Sequence, residues 1–496
     1  MQARRPNLDL SKEEFLKLGH QLVDLLGDYL ENIGNIDVTS AEQPKQIKEQ
    51  LAQSHLPAKG EDPAVILTES FNLLKNHGLH IGHPKFWGFI CGSGLPIGWL
   101  AEFMATAFNP NLGGYVISPM ATEIENQTVQ WLADLIGYTN NSFGLLTSGG
   151  NMANMIPFWA ARRTKAGSNL RTEGVSKKMT AYVSDETHTW IEKAADLSGI
   201  GTNHVRWIET SRNGKMKIDS LENQIKSDIS EGYLPFIVVA NAGSVSTGTV
   251  DPIKEIYEIC QKYNIWLHAD GAYGGVAAGI PGVDKDLSYI NLADSIAIDP
   301  HKWLYCSVEA GCVLVQDKEK LRDTFSYTPP YYKSYEDEQD LPTDFHEFGP
   351  QNSRGFKALK VWMALRQAGK EGYINNLNYD IKLANSFFKL AERTTELEAY
   401  SQNLSICTFR YIPDELIGKE EKSSAYLNKL NEAILLDIQS GGEAFISNAV
   451  RKGLFLLRIC IVNHRTELSH LVALKELVVN TGRKIHQSNV FEELNS

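Results

Sequence analysis

Between about residues 80 and 320 the chain alternates short apolar runs with stretches of helical periodicity, and this alternation constrains the fold more than any other feature. "SFGLLTSGG", "MTAYVSDETH", "LPFIVVANAGS", "NIWLHADGAYGG" and "DSIAIDPHKW" each read as a strand entering a turn, with "AGCVLVQD" as a further strand. Helical patterns separate them, as in "NMANMIPFWAARRTKA", "WIEKAADL" and "IKEIYEICQKY". Strands apolar on both faces need helices on both sides, so the pattern predicts an α/β fold with a mostly parallel sheet. Ligands of such sheets lie beyond the carboxyl ends of the strands.

The flanks differ. Ser11 and Glu14 form a capping box, behind which Phe15, Leu18, Leu22, Leu25 and Leu26 recur at helical spacing. A helix ahead of any strand reads as an arm that packs on its own core or on a partner. Residues 327–352 lack periodicity, and a loop of that length is functional or disordered. From about 376 helices alternate with short strands such as "LFLLRICIV". The expected division is an N-terminal helical arm over 1–85, a large domain over 86–375 and a small α+β domain over 376–496.

Composition excludes several partners. The formal net charge of −12 argues against nucleic acid or an anionic membrane as partner. The six cysteines form no C-x-x-C pair, as expected of reduced thiols in a cytoplasmic protein. Met1 to Asn7 lead into no apolar signal region, and no run reaches membrane-spanning length. His77, His80 and His83 are evenly spaced but have no cysteine or carboxylate companion, so no metal is expected. The glycine spacings of a dinucleotide loop, a Walker loop and a Gly-x-Ser-x-Gly elbow are absent.

Lys302 directly follows an apolar strand, where a lysine is costly to bury. Asp270 ends an earlier strand, and Lys302 stands 32 residues beyond it, about one strand–helix–strand step. Gly149, Gly150 and Asn151 lie between a strand and a helix start, offering N–H groups and a helix dipole to a phosphate. An amine for an aldehyde, a carboxylate for an aromatic nitrogen and a phosphate cradle together describe pyridoxal 5'-phosphate.

"HPKFWGF", "SPMATEIE", "SDETH", "NAGSVSTGTVDPI", "HADGAYGG", "DPHKW" and "SRGFKALKVWMALR" stand in one order along the chain. Through them the chain resembles the group II pyridoxal-phosphate amino-acid decarboxylases, which include aromatic-L-amino-acid, glutamate and histidine decarboxylases. The resemblance implies a fold-type-I homodimer with active sites at the subunit interface, acting on a small-molecule L-amino acid. It assigns Lys302 to the Schiff base, Asp270 to the pyridine nitrogen, Ala272 beneath the ring and His188 stacked on its other face. Gly150, Asn151 and Asp299 fall at the phosphate, with His301 adjacent. Relatives often have Asn where Asp299 stands, and Ser246 is one of several hydroxyls that could reach the cofactor. In the family a loop tyrosine from the neighbouring subunit protonates Cα. Tyr327, Tyr331, Tyr332 and Tyr335 lie in the corresponding loop, and Tyr332 is the candidate.

Phe86, Phe89 and Ile90 fall in the segment that lines the side-chain pocket, and they favour an aromatic or apolar substrate. Arg458 could meet a carboxylate bidentately or form a structural salt bridge. Phe345 stands where some relatives carry tyrosine. In plant relatives such a change accompanies aldehyde formation, so aldehyde synthesis is the nearest alternative to decarboxylation. Decarboxylation of an acidic amino acid and a non-enzymatic cofactor-binding role rank below it.

Overall fold

A run of β-branched and other apolar residues that must be covered on both sides gives the molecule its central layer. The computed structural model describes residues 8–51, 55–138, 142–167, 169–327 and 342–488. Its main sheet comprises β1 (Phe143–Thr147), β2 (Met179–Ser184), β3 (Val205–Ile208), β4 (Leu234–Asn241), β5 (Trp266–Asp270), β6 (Ser295–Ile298) and β7 (Gly311–Val315). The order is β1-β7-β6-β5-β4-β2-β3. Alternation along each strand feeds two separate cores. Leu146, Tyr182, Val238, Leu267 and Ile296 face one, and Leu145, Val183, Val239, Trp266 and Ala297 face the other.

Six strands run one way, and β7 pairs antiparallel with both β1 and β6. A parallel return needs a long crossover, usually helical, whereas residues 299–310 contain no helix and simply turn back. The short edge strand β3 escapes the sequence pattern because Arg206 and Trp207 at its centre are not buried.

The small domain is an antiparallel sheet of β8 (Leu397–Asn403), β9 (Ile406–Tyr411), β10 (Ser447–Arg451) and β11 (Leu454–Cys460), ordered β10-β11-β9-β8. The helices Ser424–Ser440 and Leu468–Gln487 cover it. A helix over Ala358–Glu392, kinked at Gly369 where φ is 67°, joins it to the main sheet. The N-terminal helix Lys12–Asn32 has the expected capping box, and none of its residues is buried. Among the described residues no helix is long and apolar enough to cross a membrane.

The joining helix also holds the turn after β6. Asp380 Oδ2 accepts hydrogen bonds from Trp303 Nε1 at 2.9 Å and Tyr305 Oη at 2.7 Å. Burial pushes the Asp380 carboxyl up to about 8, against the two hydrogen bonds that lower it. Between its ordinary value of 3.8 and about 8 the folded protein keeps a proton that the unfolded chain releases, so this group's contribution to stability falls as pH rises through that window. Asp380→Asn removes that slope. Thermal melts at pH 6 and pH 9 should show the gap between wild type and variant narrowing at pH 9, and a widening gap would mean that Asp380 is ionised in the folded protein.

Candidate active site

The carboxyl ends of β1, β2, β4, β5 and β6 open onto one cavity of about 680 Å³. The loop after β1 supplies Gly149, Gly150 and Asn151, that after β2 His188, and that after β4 Ser246. β5 ends in Asp270 with Ala272 beyond it, and the turn after β6 brings Asp299, His301 and Lys302. Phe89, Ile90, Ser447 and Arg458 close the side toward the small domain.

Asp270 is buried and held at both oxygens. Trp190 Nε1 donates to Oδ2 at 2.8 Å, and the Ala272 N–H donates to Oδ1 at 3.2 Å. The two donors fix the orientation of the carboxylate. Trp190 packs edge-on against His268, with ring centroids 6.0 Å apart. His268 is itself wedged between Asn154 Oδ1 at 2.7 Å and Ser295 Oγ at 2.9 Å. Burial pushes its imidazole down to about 4, so it is neutral near pH 7 and must donate through Nε2 to Asn154.

Lys302 Nζ lies 2.9 Å from Asp299 Oδ2. Burial pushes the amine down, but Asp299 and then Asp270 outweigh it and hold the amine above its ordinary value. The helix Gly150–Ala166 begins at this point, and its first residue must lack a side chain. A Cβ on Gly150 would stand 2.5 Å from Asp299 Oδ2, and one on Gly149 would stand 3.0 Å from His301 Cε1. The cradle is therefore lined by backbone at the positive end of a helix.

His188 Nδ1 accepts the Trp190 backbone N–H at 3.2 Å, and desolvation at the cavity wall pushes its imidazole down. Its loop is braced by Asn241 Nδ2, which donates to Ser184 Oγ at 2.8 Å and Thr187 Oγ1 at 3.2 Å. Ser244 and Thr247 share a hydrogen bond of 3.1 Å, and both Ser244 and Ser246 line the cavity. His301 Nδ1 accepts the Ala310 N–H at 2.9 Å.

Phe86 does not line the cavity. It is 2% exposed and stacks on Phe445 at 5.4 Å, held there by a backbone bridge to that residue. Phe89 and Ile90 do line it. Phe89 holds a φ of 53°, rare outside glycine, fixed by bonds from its N–H to Ser447 Oγ at 3.3 Å and to its carbonyl from Arg458 Nη1 at 3.0 Å. Arg458 Nη1 also reaches Ser447 Oγ at 3.0 Å. Its Nε and Nη2, one edge of the guanidinium, are buried without a hydrogen-bond partner, and among the described residues no acidic side chain pairs with it.

Tyr331, Tyr332 and Tyr335 lie outside the described residues. Tyr327 is exposed, 4.2 Å from the Arg171 guanidinium, and Phe345 is buried 4.3 Å from that of Arg354. His77, His80 and His83 do not converge: they bond to Glu42 at 2.7 Å, Tyr29 at 3.0 Å and the Lys85 N–H at 3.0 Å. Sequence reasoning missed Trp190, Asn154 and Asn241, whose only local signal is polar or indole character beside an apolar run.

A family model described as the pyridoxal-dependent decarboxylase conserved domain matches residues 44–412. The chain is 32% identical over 467 residues to an aromatic-L-amino-acid decarboxylase of Bacillus atrophaeus, with 94% of this chain and 95% of that protein covered. It is 28% identical over 486 residues to a phenylacetaldehyde synthase of a Rosa hybrid cultivar, covering 96% and 95% respectively. Catharanthus roseus tryptophan decarboxylase, solved in complex with L-tryptophan, superposes with a TM-score of 0.86 at 26% identity, over 96% of this chain and 100% of that one.

Trp190→Phe keeps the ring packing but strips the donor from Asp270 Oδ2. An unpaired buried acceptor costs about 1–3 kcal/mol, so chemical denaturation should show a loss of that order. An unchanged denaturation midpoint would mean that Asp270 finds another donor.

Proposed function

Because the chain belongs to the pyridoxal-dependent decarboxylase family, we propose that it removes the α-carboxylate of an aromatic L-amino acid, releasing CO2 and the amine. It is a carboxy-lyase whose cofactor is pyridoxal 5'-phosphate. One observation carries the reading of the site: Lys302, Asp270 and the Gly149–Gly150 turn, distant in sequence, meet in a single cavity.

The bound cofactor supplies an electron sink for the pair released when the Cα–carboxylate bond breaks. In our reading Lys302 is its covalent anchor, and Asp270 keeps the ring nitrogen protonated. His188 and Ala272 would flank the ring, while Gly149, Gly150, Asn151 and Ser246 would hold the phosphate end. Phe89 and Ile90 offer an apolar wall to an aromatic side chain. Arg458 draws the substrate carboxylate, supported by its buried charge that lacks an acidic partner. Orientation selects the bond that breaks, at roughly tenfold in rate per ~1.4 kcal/mol of preference. The proton returns to Cα from the partner subunit's Tyr332.

A homodimer is supported by exposed apolar side chains on the N-terminal helix and its neighbours, among them Phe15, Val23, Phe103, Phe108 and Met120. A reducing cytoplasm is supported by six cysteines that form no disulfide.

Cofactor-loaded protein incubated with single amino acids, with amine, aldehyde, CO2 and peroxide assayed together and Lys302→Ala as blank, tests the reaction. Amine and CO2 from an aromatic amino acid are expected. Aldehyde with peroxide would favour the activity named for the rose relative. Turnover of an acidic amino acid alone, or none of any, would overturn the proposal. Arg458→Met is expected to raise KM about thirtyfold with a smaller change in kcat, as loss of a hydrogen-bonded charge partner costs about 2 kcal/mol or more; steady-state kinetics with the preferred substrate checks this.

A further inference from the structure

Asp299 is the oddest group in the cavity wall. It is wholly buried, and neither carboxylate oxygen has a hydrogen-bond partner. Such a charge is costly unless another charge compensates it. Lys302 Nζ lies 2.9 Å from Oδ2, and His301 Nε2 follows at 3.7 Å. The contact with Lys302 is an ion pair rather than an aligned hydrogen bond. The same Oδ2 faces Gly150, where a Cβ would stand 2.5 Å from it. It thus borders the phosphate cradle yet offers a phosphate only repulsion, since an ionised carboxylate has no proton to donate.

We propose that Asp299 serves the Lys302 amine and not the cofactor's phosphate, as the counter-ion that holds the free ammonium in place. The inference rests on the cofactor reading above and changes one assignment within it. Asp299 is a positioning residue that acts through Lys302. The pair stands three positions apart along the turn after β6, so the same turn delivers both.

The consequence lies in pH. An amine attacks an aldehyde only when uncharged, so a fixed anion beside it raises the pH at which capture begins. Asp270 adds to this from β5, while burial of the amine opposes it. The other groups around Lys302 are His188, His301 and Cys91, with Arg458 on the wall toward the small domain and Glu309 on the cavity wall beside His301. Burial pushes both histidines down and the Cys91 thiol up, toward the uncharged form in each case. Asp299 is therefore the nearest fixed charge.

The test uses the full chain freed of cofactor. Acetic anhydride labels uncharged amines, and mass spectrometry of the Lys302 peptide across pH 6 to 11 gives the midpoint for that one residue. Asp299→Asn is expected to move the midpoint down by about one pH unit or more, which is about tenfold more labelling on the acid side. Asp299→Glu should return it toward wild type. Capture of pyridoxal 5'-phosphate, followed by absorbance, should shift in parallel, while inhibition of capture by inorganic phosphate stays within about twofold. An unmoved midpoint overturns the inference, whether or not phosphate binds more tightly in the variant. A shifted midpoint in a protein that never captures the cofactor would sink the cofactor reading and leave the ion pair standing.

Discussion

Everything in this molecule depends on a sheet whose backbone groups are satisfied strand to strand and whose two faces are both sealed by apolar packing. Leu146, Val238 and Ile296 on one side and Leu145, Val239 and Ala297 on the other leave no room for charge within the layer. Polar chemistry is forced to the strand ends, where the chain must turn in any case. Because six of the seven strands point the same way, those ends gather along one edge, and five loops deliver their residues to one cavity. The catalytic constellation follows from strand direction.

Much of this was legible because the signals are local. Apolar runs marked most of the main strands, and the polar residue ending each run marked Asp270 and the turn before Lys302. What escaped depends on partners remote in sequence. The direction of β7 is set by the absence of a helix in the preceding turn, which no pattern within the strand itself reveals. Trp190 looks like a buried residue of an amphipathic helix, and its partner Asp270 lies on a strand three steps further along the chain. Phe86 and Phe89 are alike in type, yet one is core and the other cavity wall, because Phe86 is bridged to Phe445 of the small domain while the chain turns at Phe89 with a φ of 53°. The loop tyrosines, Tyr332 among them, lie outside the described residues, so the proton donor rests on resemblance.

The site also balances its charges with economy of parts. Two buried carboxylates, Asp270 and Asp299, stand against one amine, and each is treated differently. Asp270 receives two N–H donors and has no cation in contact. Asp299 receives none and leans on Lys302. Hydrogen bonding leaves the first free to meet a positive ring, whereas ion pairing commits the second to its neighbour. Position alone made them look equivalent.

The residues proposed to grip a substrate stand on a different sheet from those proposed to hold the cofactor. Trp87 is buried in the core of the small domain, its indole donating to Thr466 Oγ1 at 3.2 Å and its backbone N–H to the Phe445 carbonyl at 2.7 Å. The segment through Phe89 is thereby riveted to the sheet that carries Arg458, while Lys302, Asp270 and His188 stand on the other sheet. On the proposed reading, substrate recognition is a property of the seam between the two sheets. A substitution deep in the small-domain core, far from any ligand, can thus alter which side chain fits while leaving the cofactor's surroundings as they were.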